Sequence, residues 1–204
     1  MKLFYSKGSC ALVVRIILKE LGLTCQYEAV NLKTKMTETG KDFYAINPKG
    51  SVPVLQFKHG DVLTENAVIL QFLADDSKSS KLLPPIGDFE RYRVLEWLNY
   101  ITTEIHKTFS CLFNTGMPEA AKEGFFIPSI HGKLSYVNAQ LEDKTYLVSE
   151  HFTLPDAYLF VMILYAFHFN IDIAAWPHLS SYYTLLKSRL SIKQAMEEEW
   201  LSIP

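Results

Sequence analysis

Little in this sequence points toward a large charged partner. Lysine and arginine number 20 against 22 aspartates and glutamates, a formal net charge of -2, so neither nucleic acid nor an anionic membrane surface is drawn in electrostatically. Long apolar runs are missing as well. The longest, residues 157–166, is too short to span a bilayer. The opening "MKLFYSKG" has no extended apolar core and no small-residue cleavage site, so no signal peptide is expected. Cysteine is scarce: Cys10, Cys25 and Cys111 are odd in number and widely spaced, with no CxxC pair and no histidine at zinc-finger spacing. That excludes a disulfide framework and a zinc module, and it fits a reducing cytoplasm. Cys25 and Cys111 read as small packing hydrophobes. Internal repeats and low-complexity tracts are also absent.

What is present is core-forming material. With 204 residues, 49% hydrophobic and 13% aromatic, the chain can bury one large core or two modest ones, and the expected ligand is a small molecule.

The texture changes near residue 80. Before it, short β-like runs alternate with helical ones. "KLFYS" reads as a strand, after which Cys10, Val13, Val14, Ile17 and Leu21 recur at helical spacing up to Gly22. "CQYEAVNL" is a second strand. "VPVLQF" and "DVLT", separated by Lys58, His59 and Gly60, form a tight hairpin, and a helix follows from about Glu65 to Asp75. The order is that of a small α/β layer on a mixed sheet. Composition marks "DDSKSSKLLPPIGD" as an exposed linker. Beyond it Val94, Leu95, Leu98, Ile101, Ile105 and Phe109 keep a helical period, as do Leu134, Val137 and Leu141, and Pro118, Gly124 and Pro128 predict a break between these two helices. The expected division is 1–78, a linker at 79–88, and an all-helical unit at 89–204.

Two local signals have a physical reading. In "FTLPDAYLFVMILYAF", Thr153 and Asp156 form a capping box ahead of a helix apolar nearly all round, the expected centre of the helical unit. Asp156 is thereby a helix cap rather than an acid or base. In "NPKGSVPVL", a proline directly before a strand follows the turn-like Gly50. A cis Val52–Pro53 bond fits there, although only about 5–6% of X–Pro bonds are cis.

Taken in order, "YSKGSC", "INPKGSVPVL", "LTENAVILQFLAD", "WLNYITTEIHK" and "FTLPDAYLF" give the chain a resemblance to bacterial beta-class glutathione transferases over almost its whole length. The resemblance implies an α/β thioredoxin-like N-terminal domain that binds glutathione, an all-α C-terminal domain completing an electrophile site, and a cytoplasmic homodimer serving detoxification. Glutathione would be a co-substrate, with no further cofactor and no metal.

Cys10 then has a role. At a helix start, unsatisfied backbone N–H groups and the positive dipole end favour thiolate, so Cys10 is expected to be the most reactive of the three thiols. The resemblance places it beside the glutathione sulfur, with which it can form a mixed disulfide. It further implies that Val52, before Pro53, offers its backbone to the cysteinyl part of glutathione as an added strand would. Glu65 receives the γ-glutamyl ammonium, the helix start at Glu65 and Asn66 receives the neighbouring carboxylate, and Lys35 pairs with the glycine carboxylate. Tyr5, at the end of the first strand, lies near the sulfur. Asn99, His106 and Lys107 match positions that touch glutathione directly, through water or across the dimer, and His106 steadies the thiolate. Phe109, Phe113 and Met117 form the apolar side of the electrophile pocket. Asn66 departs from the family pattern, which has a small residue at that position.

Two other readings stay open on sequence alone. One is a glutathione-dependent thiol reductase with Cys10 as nucleophile, like a one-cysteine glutaredoxin. The other is a non-catalytic regulator like the stringent starvation proteins, which retention of Cys10, Val52, Pro53 and Glu65 disfavours.

Overall fold

The structure, a computed structural model, describes residues 1–202. It divides into two units: residues 1–79 together with the segment from Leu190 onward, and residues 80–189.

In the first unit the elements run β1 (Lys2–Tyr5), α1 (Ala11–Glu20), β2 (Gln26–Asn31), β3 (Met36–Thr37), a 3-10 turn (Phe43–Ala45), β4 (Val54–Gln56), β5 (Val62–Thr64) and α2 (Asn66–Asp76). The sheet order is β3-β2-β1-β4-β5. β1 pairs parallel to β2 and antiparallel to β4, with Leu3 opposite Tyr27 on one side and Leu55 on the other. Parallel neighbours need a crossover, which α1 supplies. As the central strand, β1 buries both faces: Leu3 and Phe4 are sealed, and Phe4 packs with Val30, Phe43 and Val54. The β4–β5 hairpin closes as expected, Phe57 N–H bonding the Asp61 carbonyl at 2.9 Å and leaving Lys58, His59 and Gly60 as a three-residue loop. β3 and the 3-10 turn lie in a stretch without a periodic signal.

α1 is buried on all sides from Ala11 to Leu18 because it packs against the sheet, α2 and the C-terminal helix α9 (Leu190–Glu198). Grouping α9 with the first unit differs from the expected helical unit of 89–204, and the reason is Arg15. Its guanidinium is buried, lying 4.5 Å from the Tyr5 ring centre and 3.7 Å from that of Tyr27. It pairs with Glu198 at 3.0 Å and Glu199 at 3.1 Å. Glu199 also accepts the Gly8 N–H at 2.9 Å. A buried cation needs such partners, and among the described residues it is the C-terminal segment that brings its carboxylates.

The second unit is helical: α3 (Phe89–Tyr100), α4 (Lys107–Leu112), α5 (Glu119–Ala121), α6 (Ile127–Gln140), α7 (Leu154–His168) and α8 (Pro177–Lys187). α3 runs into α4 through a π-helical turn, Ile101–His106, and a second such turn, Lys122–Phe126, joins α5 to α6. Of the three expected breakers, only Pro118 borders a break. Gly124 sits inside the second π turn and Pro128 in the first turn of α6. Proline has no N–H to give to the helix, and it falls just after the π turn, where the regular bonding to the residue four back is already interrupted. The supposed linker is not wholly exposed: Leu82, Leu83 and Pro84 are buried, and the Leu82 carbonyl accepts the Leu154 N–H at 3.3 Å. Apolar anchoring outweighs a Ser/Lys/Pro-rich composition there.

α7 is the centre of this unit, with 12 of its 15 residues buried. The Thr153–Asp156 capping box opens it. Asp156 does more than cap, since it also accepts the Leu147 N–H at 3.0 Å and the Tyr182 hydroxyl at 2.6 Å.

Candidate functional site

Three segments of the first unit meet around Cys10, each for a local reason, and a fourth borders one of them. The turn after β1 ends at Cys10, the first half-helical residue of α1, whose carbonyl accepts the Val13 N–H at 3.2 Å. Facing it is the Val52–Pro53 peptide, which is cis as the sequence allowed. The Cys10 thiol donates to the Val52 carbonyl at 3.6 Å. Val52 N–H has no hydrogen-bond partner among the described residues, so this segment presents a free donor as an unpaired strand edge would. Gly50, two residues before, holds φ at 61°, and a Cβ there would lie 2.6 Å from the Tyr44 ring. Only glycine fits that approach.

The third segment is the start of α2. Glu65 takes φ 71° just before the helix, a left-handed conformation that non-glycine residues seldom adopt. Such strain persists where surroundings hold it, and it concentrates at ligand sites. The Glu65 carboxylate is largely exposed and pairs with Lys49. Asn66, the first helical residue, is turned inward instead: it is buried, and its Nδ2 donates to the Cys10 carbonyl at 3.0 Å. The fourth segment carries Lys35, whose ammonium donates to the Gly50 carbonyl at 2.7 Å and so borders the same loop.

The electrostatics of Cys10 overturn one expectation. Its thiol is not lowered toward thiolate; burial pushes it up to about 12, against the pull of its own backbone N–H and of a hydrogen bond from Asn66, while the Glu65 charge adds to the rise. Desolvation of the anion outweighs the helix start. Cys10 is therefore expected to alkylate at pH 7.5 at least about a hundredfold more slowly than an unburied thiol, its rate rising about tenfold per pH unit up to pH 10. Mass-mapped iodoacetamide kinetics check this, and a plateau below pH 9 would count against it.

Tyr5 is drawn into packing, its ring against Arg15 and edge-on to Tyr27 at 6.3 Å. The remaining expected residues lie in the second unit. Asn99 and Lys107 are exposed, on α3 and α4. His106 ends the first π turn, its Nδ1 2.8 Å from the Tyr158 hydroxyl. Burial, with the Lys107 charge adding, lowers it to about 4, so at neutral pH it is an uncharged imidazole whose tautomer answers to Tyr158. The π turn carries no sequence signal. It is the kind of irregularity that recurs at functional positions.

Phe109 is a correction. It exposes nothing, packing with Tyr165 and Phe169 at ring distances of 6.0 and 6.3 Å, so it is core rather than pocket wall. Phe113 is 45% exposed and Met117 partly so. Sequence reasoning missed the inward side chain of Asn66 and the Tyr158 partner of His106, because both depend on contacts 56 and 52 residues away.

Comparison with known proteins identifies the family of both units. Residues 8–76 match the glutathione S-transferase N-terminal domain, and residues 100–189 match the C-terminal domain of the same family. Glutathione S-transferase GstA of Escherichia coli O157:H7 is 38% identical, the alignment covering 98% of this chain and 100% of that protein. A glutathione transferase from Methylococcus capsulatus superposes with a TM-score of 0.94 at 43% identity, covering 98% of each chain. A beta-class enzyme from Sphingomonas chungbukensis does so with a TM-score of 0.95 at 37% identity, covering 99% of this chain and 100% of its own. A sphingomonad glutathione S-transferase whose structure holds glutathione superposes at 0.93 and 35% identity, over 99% and 100% of the two chains. With both halves matched in order and such relatives matched end to end, the chain belongs to the glutathione S-transferase family and resembles its bacterial beta class.

Proposed function

We propose that the protein binds reduced glutathione in the first unit and transfers its thiolate to the electrophilic carbon of a small hydrophobic compound. The observation that carries this is the meeting of an unpaired Val52 N–H, the Glu65 carboxylate and the start of α2 around Cys10. Glutathione is a peptide with an ammonium at one end and carboxylates at both. Val52 and Pro53 give its cysteinyl part a register, Glu65 takes the ammonium, the backbone N–H groups at Glu65 and Asn66 take the adjacent carboxylate, and Lys35 takes the glycine carboxylate. In the reaction the glutathione thiol loses its proton to solvent, the sulfur forms a bond to carbon, and the leaving group departs with its electron pair. His106, neutral, steadies the sulfur by hydrogen bonding, with Asn99 and Lys107 as further polar contacts. Phe113 and Met117 form the apolar side. Tyr5 contributes by holding the end of β1.

Because burial keeps the Cys10 thiol protonated, the reacting anion in this reading is the sulfur of glutathione. That favours transferase over Cys10-centred reductase. Retention on immobilised glutathione, then assays with an aryl halide and with a mixed disulfide, test it; no retention and no conjugation would refute it.

Glu65→Gln is expected to weaken glutathione binding about tenfold, since a charge-assisted contact is lost. Lys49, which pairs with Glu65, competes with the incoming ammonium and limits the loss. Calorimetry reads the outcome, and equal affinity would remove Glu65 from the site.

We also propose a homodimer in a reducing cytoplasm. The apolar residues of "ILQFLA" do not carry this, because Ile69, Leu70 and Leu73 are buried within the first unit. Exposed Val62 and Val68, and Phe89 and Tyr92 in the second unit, supply apolar surface for a second copy. Sedimentation at micromolar concentration is expected to show the dimer, and monomer alone would contradict it.

A further inference from the structure

The His106 ring is held on one edge and open on the other. Its Nδ1 lies 2.8 Å from the Tyr158 hydroxyl, whereas Nε2 has no hydrogen-bond partner among the described residues. Its two aromatic neighbours share one face of α7. Tyr158 meets the ring edge-on with centres 5.8 Å apart, and Tyr165, about two turns further along, lies at 6.0 Å. Both tyrosines are buried in the helix at the centre of the second unit, so close packing fixes where the Tyr158 hydroxyl sits.

Burial keeps His106 neutral near pH 7, and a neutral imidazole carries one proton on one of its two nitrogens. Two arrangements fit the 2.8 Å contact. Either the hydroxyl donates to a bare Nδ1 and the proton sits on Nε2, or Nδ1–H donates to the hydroxyl oxygen and Nε2 is bare. Acid and base strength decide between them. A phenol, with an ordinary pKa of about 10, is a much stronger acid than a neutral imidazole N–H, and an imidazole nitrogen, protonated at about 6.5, is a much stronger base than a phenol oxygen.

We propose that Tyr158 is the positioning residue of His106: its hydroxyl donates to Nδ1, fixes the imidazole proton on Nε2, and so makes the open edge of the ring a hydrogen-bond donor. A donor is what a sulfur anion needs, whereas the other tautomer would turn a lone pair toward it. Tyr158 keeps its own proton and acts only through His106. The consequence for conjugation rests on the glutathione reading; the tautomer does not.

Nitrogen-15 NMR of the labelled full-length protein, without ligand, reads the tautomer directly, His106 being assigned by the signals lost in His106→Ala. The unaltered protein is expected to show a protonated Nε2 and a bare, hydrogen-bonded Nδ1 at neutral pH. A proton on Nδ1 overturns the proposal, and that result needs no Tyr158 variant to fold. In Tyr158→Phe the Nδ1–H form is expected to appear beside the other; an unchanged tautomer means that something else sets it. With an aryl halide, Tyr158→Phe is expected to lower kcat about tenfold and to leave KM for glutathione within about twofold. An unchanged kcat removes the positioning role. A loosened core also slows turnover, so the double variant separates the two causes. Added to His106→Ala, Tyr158→Phe is expected to cost nothing more, and a further loss of about threefold or greater would show that it does not act through His106. Should the unaltered protein conjugate nothing, the transferase reading fails, while the NMR comparison still decides on Tyr158.

Discussion

Cys10→Ala is expected to leave conjugation within about threefold of the unaltered protein while taking thiol transfer, already slow because burial holds the Cys10 thiol up to about 12, down to background. The difference lies in which sulfur reacts. Disulfide reduction through Cys10 requires that sulfur to form one bond and break another, and no neighbour replaces it, since Cys25 and Cys111 are on other elements. Conjugation uses the sulfur of glutathione. The groups proposed to bind it in the first unit, Val52, Glu65 and the start of α2, do not include the Cys10 side chain, and a threefold change corresponds to less than about 1 kcal/mol of transition-state stabilisation. The buried, protonated state of the thiol sharpens the expectation, because a group held up to about 12 contributes no anion near neutral pH. Loss of both activities, with fold and glutathione affinity intact, would transfer the chemistry to Cys10 and make the protein a redox enzyme. His106→Ala should behave differently, lowering turnover more than affinity, as for a group that acts mainly on the reacting sulfur. With its imidazole lowered to about 4, His106 should put no titration step between pH 5 and 7 into the conjugation profile.

Sequence patterns made the elements legible and left their partners hidden. The strand, helix, strand, hairpin, helix order of the first unit followed from periodicity and turn residues, and α7 was visible as the centre of the second because its apolar residues surround the helix. The Thr153–Asp156 box was readable since both partners lie within one helical turn. What failed was long-range or environmental. The end of a helix says nothing of how deeply its first residue is buried, so Cys10 was assigned the helix-start effect without the desolvation that exceeds it. Arg15 occupied an apolar stretch, and its partners Glu198 and Glu199 lie more than 180 residues away. Phe109 keeps the same helical period as its neighbours whether it lines a pocket or fills a core. The π turns depend on packing and have no residue signature comparable to a cap or a glycine turn. For the candidate site, motifs singled out Val52, Glu65 and Asn66, while the Val52 carbonyl facing the Cys10 thiol and the Asn66 amide bonded to the Cys10 carbonyl came from the geometry.

Asp156→Ala should produce the largest loss of stability among these substitutions, roughly 3–5 kcal/mol. A helix cap alone is worth about 0.5–2 kcal/mol, and the excess comes from the number of donors that Asp156 serves. Its carboxylate is fully buried and accepts the Thr153 N–H and hydroxyl, both at 2.7 Å, the Leu147 N–H at 3.0 Å and the Tyr182 hydroxyl at 2.6 Å. These donors come from the cap of α7, from the chain before it and from α8, so one side chain ties three segments of the second unit together. Alanine leaves all of them without an acceptor in a place water does not reach, and each unpaired buried donor costs about 1–3 kcal/mol before relaxation. In a chain of this size the melting temperature should fall by about 10 °C. Tyr182→Phe removes one donor and keeps the carboxylate, so it should cost about 1 kcal/mol and serves as the internal scale. Glutathione affinity in the folded fraction should be unaltered, because none of the proposed ligand contacts passes through Asp156. A melting curve within 1 °C of the original, or a loss no larger than that of Tyr182→Phe, would mean that the carboxylate acts as a local cap and does not hold the three segments together.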